Sequence, residues 1–173
     1  MLLETIRCVT TALNTGSIGV NTQIAGLPVD NGDVVPPNIV YITDETVNLS
    51  LALNKAPADV GYPMLLVTIL SPVDMAGEVV STVRSSEIQV LIQYIASGID
   101  THNMVRDAYY TMRAVVRCLH DFHSNDHADM RNRNGISIQE CLSLTHQTVE
   151  TFEQDNKVVT GIIAQYLVRD SQV

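Results

Sequence analysis

Three histidines, His120, His123 and His127, come nearest to chemistry in this chain, with Asp121, Asp126 and Asp129 interleaved among them. On a helix continuing through all three, steps of three and four residues would stack the imidazoles on one face, as a zinc site needs. The competing expectation is that Ser124-Asn125-Asp126 ends the helix. The histidines are then solvated at a C-terminus whose dipole suits a positive imidazole. Few residues around the cluster support a metal, so neither metal nor cofactor is expected. A small metal-dependent enzyme built on residues 120–127 stands as an alternative.

Nucleophilic chemistry has less to work with. Cys118 and Cys141 sit among apolar neighbours in regular elements, where a buried inert thiol is the common case. To act as nucleophiles they would need a nearby base and a lowered pKa. With Cys8 they make an odd set without a CxxC pair, which reads as reduced thiols. The stretch GSIGVNTQIAG lacks the third glycine at the right spacing and the preceding strand of a dinucleotide loop, and no P-loop or GxSxG is present. The chain is therefore expected not to be an enzyme.

A different constellation points to assembly. Arg106, Arg113 and Arg117 share one side of a helix, and Tyr110 lies on that side too. Left alone, such a face is simply solvated, and isolated surface pairs contribute little. Its functional alternative is a subunit interface at Arg106, Tyr110, Arg113 and Arg117. There a basic face meets an acidic one of the next copy and an aromatic anchors the contact.

The elements that would position these residues follow from periodicity. Leu2, Leu3, Ile6, Val9 and Leu13 recur at helical spacing, and Asn14 and Gly16 end that helix. Residues 14–37 read as a mostly irregular connector with a short strand at Gly19–Ile24. Strands are predicted at Asn38–Thr43, after which Asp44-Glu45 turns, and at Val47–Leu53, by period-two alternation. Met64–Leu70 is apolar throughout, the pattern of a strand covered on both faces. Residues 71–85 connect it to the alternating strand Glu87–Ala96. Asp100 or Thr101 caps a helix over Met104–Phe122. Its buried stripe is Val105, Ala108, Tyr109, Met112, Val115, Val116 and Leu119. A polar loop over Asn125–Asn134 leads to strands at Ile136–His146 and Val158–Val168.

These elements predict an α/β (α+β) fold in a single domain over residues 1–173. Its mixed or antiparallel sheet has about four to six strands, flanked by the N-terminal helix and one long amphipathic helix. The connectors 14–37 and 71–85 are candidates for arms that reach a neighbouring subunit. At 173 residues and 46% hydrophobic content, the chain can bury one ordinary core. Only 17% of residues are charged, a level more often found on surfaces that partners cover. A net charge of -9 disfavours binding to a nucleic-acid backbone. It suits a surface that DNA slides past. MLLETIR lacks the basic n-region and apolar stretch of a signal peptide, and no apolar run is long enough to span a membrane.

The order and character of the segments resemble a known family. A short N-terminal helix leads to a Pro-Pro loop and a strand (PPNIVYIT). A hydrophobic strand opening on proline (GYPMLLVTIL) and a long alternating strand (SEIQVLIQYIAS) follow. The helix RDAYYTMRAVVRCLHDF comes next, then the strands GISIQECLSL and VVTGIIAQYLVRDSQV. This order is similar to the tail terminator and neck proteins of tailed bacteriophages, the head–tail joining and tail-completion components. The alternating stretch Val47–Leu53 and the connector 14–37 are departures from that pattern. The resemblance implies an α/β subunit forming a homo-oligomeric ring, usually a hexamer. DNA would pass through its channel without specific binding. It also implies other neck, connector and tail-tube proteins as partners, assembly in the host cytoplasm, a final place in the virion and no catalytic residues. A monomeric binding module using Tyr109-Tyr110 remains the third reading.

Overall fold

The computed structural model of the protein describes residues 2–28, 33–41, 61–72, 84–152 and 156–171. The expected Asp44-Glu45 turn and Val47–Leu53 strand lie outside the described residues. So do 29–32 of the first connector and 73–83 of the second.

Helix α1 (Leu2–Asn14) carries Glu4 in its first turn, where a carboxylate suits the exposed amides. It buries Ile6, Val9 and Leu13 together with Cys8 and Ala12, while Leu2 and Leu3 stay exposed. Asn14 closes it by donating a side-chain hydrogen bond to the Thr10 carbonyl. The strand expected at Gly19–Ile24 is instead a short helix, α2 (Val20–Ala25). Val20 and Ile24, one turn apart, turn inward together. A strand would put Thr22 on that inward face as well, whereas the helix leaves it exposed.

Strands β1 (Asn38–Tyr41), β2 (Met64–Pro72) and β3 (Arg84–Ser97) follow, then α3 (Thr101–Phe122). β2 and β3 run past the ends expected for them, so the edges of the 71–85 connector belong to the sheet. Asp100 caps α3, its carboxylate accepting from the Asn103 amide. Where a polar loop is expected, a short 3-10 helix (Asn125–Arg131) and a hairpin stand instead. Strand β4 (Asn132–Arg133) folds onto β5 (Ile136–His146) through Asn134-Gly135. Both turn residues have positive φ, 48° and 76°, which fits a tight two-residue hairpin and the Asn-Gly pair. Strand β6 (Glu150–Phe152) and strand β7 (Lys157–Asp170) complete the described chain.

Among the described residues the sheet has seven strands in the order β1-β2-β3-β7-β5-β4, with β6 beside the start of β7. β1 runs parallel to β2 and every other pairing is antiparallel. The mixed sheet, the N-terminal helix and the long amphipathic helix are thus as expected. The short strands β4 and β6 carry the strand count beyond the expected range.

The main core lies between one face of the sheet and the helices. Ile88, Val90, Ile92, Tyr94 and Ala96 of β3 point into it, with Ile162, Ala164, Tyr166 and Val168 of β7. Ala108, Val115, Leu119 and Phe122 of α3 meet them there. A smaller cluster of Met64, Leu66, Ile95 and Val159 occupies the opposite face. β2 and β3 are therefore buried on both sides, as the apolar run at Met64–Leu70 requires.

Candidate interaction surface

The histidine cluster does not come together. α3 ends at Phe122, His123 is its C-cap, and His127 sits at a kink inside the 3-10 helix. No single helix carries the three imidazoles. Among the described residues no group of three His, Cys, Asp or Glu side chains is placed to hold a metal ion. The end of α3 is served by another cation than the expected histidine. Arg131 donates to the carbonyls of Phe122 and Ser124, both at 2.9 Å. His123 instead packs its ring against Phe122 and Tyr166, at centroid distances of 5.1 and 5.5 Å. Burial, with Arg131 and His120 adding positive charge, pushes its pKa down to about 4.

That shift has a measurable consequence. A histidine whose folded pKa lies below its unfolded value of 6.5 contributes fully above pH 6.5 and loses that contribution as pH falls toward 4. The ring is partly open to solvent, so the loss is discounted to about 1–2 kcal/mol. Thermal unfolding of the wild type should therefore fall more steeply between pH 6.5 and 4 than that of a His123→Gln variant. Parallel curves would show that the imidazole is not held neutral.

The thiols are correspondingly quiet. Burial raises Cys8 to about 11 and Cys118 to about 12, and it raises Cys141 as well. All three are free, and Cys118 donates to the Ala12 carbonyl across the core. A thiol held protonated in this way is a poor nucleophile.

The arginine face is positioned by the cap and stripe of α3. At 100° per residue, Arg106, Arg113 and Arg117 lie roughly 160° from the centre of the buried stripe. Arg113 and Arg117 are exposed, and neither has an ion-pair partner among the described residues. Arg106 differs: it binds buried Asp107 at 2.7 Å and also reaches the Asp33 carbonyl. The two tyrosines exchange the places expected for them. Tyr109 is 63% exposed on the arginine side, whereas Tyr110 is half-buried and packs against the core. Asp107 and Thr111 are buried in the stripe, which is therefore rotated away from Tyr109. α2 packs along α3, and Gln23 donates to Asp121 at 2.8 Å.

A second exposed feature has no counterpart in the expectations. Beyond its first residues β5 has no described strand on its outer side. Two register shifts, leaving Gln139 and Leu142 unmatched with β7, bend it. Leu142 and Leu144 remain 41% and 37% exposed. Between this strand and α3 runs a groove of about 600 Å³ lined by Val116, Leu119, His120, His123, Cys141 and Leu144. Leu144 pairs with core-facing Ala164 and so lies on the helix side, lining the groove, while Leu142 is left out of the pairing by a bulge that has no local signal in the sequence.

No protein-family model matches the chain, and no curated protein matches it in sequence.

Proposed function

We propose that this protein is a ring-forming structural subunit of the tailed-bacteriophage head–tail junction, acting by assembly. It terminates the tail tube and joins it to the connector alongside other neck and tail-tube proteins. One observation carries the reading: the side-by-side exposed cations Arg113 and Arg117, beside exposed Tyr109, on a chain of net charge -9. Such a face matches a neighbour that shares the chain's acidic excess, because opposite charge steers and registers subunits. The acidic remainder suits a channel wall that DNA passes without binding. The element order that resembles terminator and neck proteins supports the same conclusion.

Mass measurement of the purified protein over a range of concentrations tests the reading, alongside a search for the chain in purified virions. A closed multimer, with six copies as the expected number, and presence in the particle are the expected results. A chain that stays monomeric at every concentration and is missing from virions overturns the proposal. Such a result favours the binding-module alternative, in which exposed Tyr109 anchors a different partner.

A further inference from the structure

Charge accounting within the described chain leaves two unmatched patches. Arg7 and Arg133 both meet Glu4, at 3.3 and 2.9 Å. Arg106 meets Asp107, and Arg131 is held by the carbonyls at the end of α3. Among the acids, Asp100 caps α3, Asp121 accepts from Gln23 and Glu87 accepts from Gln165. Arg113 and Arg117 remain as an exposed basic pair one helical turn apart, while Arg169 and Lys157, also without an ion pair among the described residues, stand singly. Asp126 and Asp129 remain as an exposed acidic pair on either side of the kink at His127. The other exposed acids without an ion pair among the described residues, Asp33, Glu140 and Glu150, stand singly along the chain.

Each patch presents two like charges close in sequence, Arg113 and Arg117 four residues apart and Asp126 and Asp129 three apart, on either side of the kink at His127. Arginine–aspartate contacts between the patches are charge-assisted. They do not form within the chain, since no ion pair joins the patches.

We infer that the outer face of α3, with Tyr109, Arg113 and Arg117, docks a second copy of this chain through Asp126 and Asp129 of that copy's 3-10 turn. The inference rests on the ring reading and supplies its missing acidic surface. Because the two patches differ, the contact is head-to-tail, the kind that closes a ring when the rotation per subunit allows. Tyr109, exposed one turn before Arg113, borders the contact.

Complementation by charge reversal tests it. Arg113→Glu with Arg117→Glu in one variant, and Asp126→Lys with Asp129→Lys in another, should each weaken self-association about a hundredfold or more, because like charges then meet. Neither variant alters the buried stripe, and unfolding curves close to wild type verify the fold. Mixing the two variants in equal amounts should restore assembly. In an alternating ring every α3 face then meets a turn of opposite charge. High salt should weaken the wild-type and mixed assemblies alike. Wild-type-like association of either variant alone overturns the inference. So does a mixture of two folded variants that stays dissociated while wild type assembles, and in that case the ring reading survives with its contact elsewhere. A monomeric wild type instead removes the ring reading itself.

Discussion

Replacing Phe122 with alanine is expected to cost about 3–5 kcal/mol of stability. The ring is fully buried in the main core and meets the His123 ring edge-on at 68°. The cost depends on how far the surroundings can collapse into the space left behind. Here they are tied. Arg131 bonds the Phe122 and Ser124 carbonyls and so fixes the last turn of α3, and Gln23 of α2 holds neighbouring Asp121. Thermal unfolding should shift down by roughly 10–15 °C for a chain of this length. A shift of only a few degrees would mean that the end of α3 closes over the cavity and is less firmly held than these bonds imply. The substitution also bears on the proposed contact, because the 3-10 turn bearing Asp126 and Asp129 begins three residues beyond this ring.

The second large effect is expected at Gly19, where alanine should cost about 2–3 kcal/mol or more. A Cβ there would lie 2.2 Å from the Thr15 carbonyl oxygen and 2.8 Å from that of Leu13. Both obstacles are backbone, so no side chain can swing aside. The dihedral is ordinary, with φ at -60°, and the reason for glycine is therefore room. The Gly19 amide donates to that same Thr15 carbonyl at 2.8 Å, which draws the turn tight. The substitution should lower the urea midpoint and loosen α2 from the flank of α3. Gly16→Ala is the matched control, since nothing lies within 4 Å of the added Cβ. It should stay within about 0.5 kcal/mol of wild type. Equal effects at the two glycines would show that the turn between α1 and α2 yields easily.

The candidate surface was legible in part. That Arg113 and Arg117 share a solvent side follows from their spacing, because the helical period relates residues close in sequence. Which tyrosine joins them does not follow. Tyr109 and Tyr110 flank the boundary of the stripe, and their places depend on how α3 is rolled against the sheet with α2 along its other side. Arg106 shows the same limit: its spacing matches Arg113, but Asp107 beside it draws it into an internal ion pair. The acidic partner patch was harder still to read. In the sequence Asp126 and Asp129 read as neighbours of a histidine cluster. They become a surface only because the segment winds into a short helix after α3 has ended.

The sequence by itself determined what repeats locally. The alternation of Ile88, Val90, Ile92, Tyr94 and Ala96 makes a strand, and Asp100 starts the long helix. Asn134-Gly135 admits positive φ at a hairpin, though only the strands on either side reveal the turn's use. Each of these is a preference of a few consecutive residues. The tertiary structure alone decided which faces meet. It put β7 between β3 and β5, left most of the outer side of β5 without a strand among the described residues, and turned Val20 and Ile24 inward as a helix. It also gave the end of α3 to Arg131, leaving His123 neutral among aromatic rings. Those outcomes depend on burial among residues far apart in the chain, where apolar area removed from water outweighs local preference.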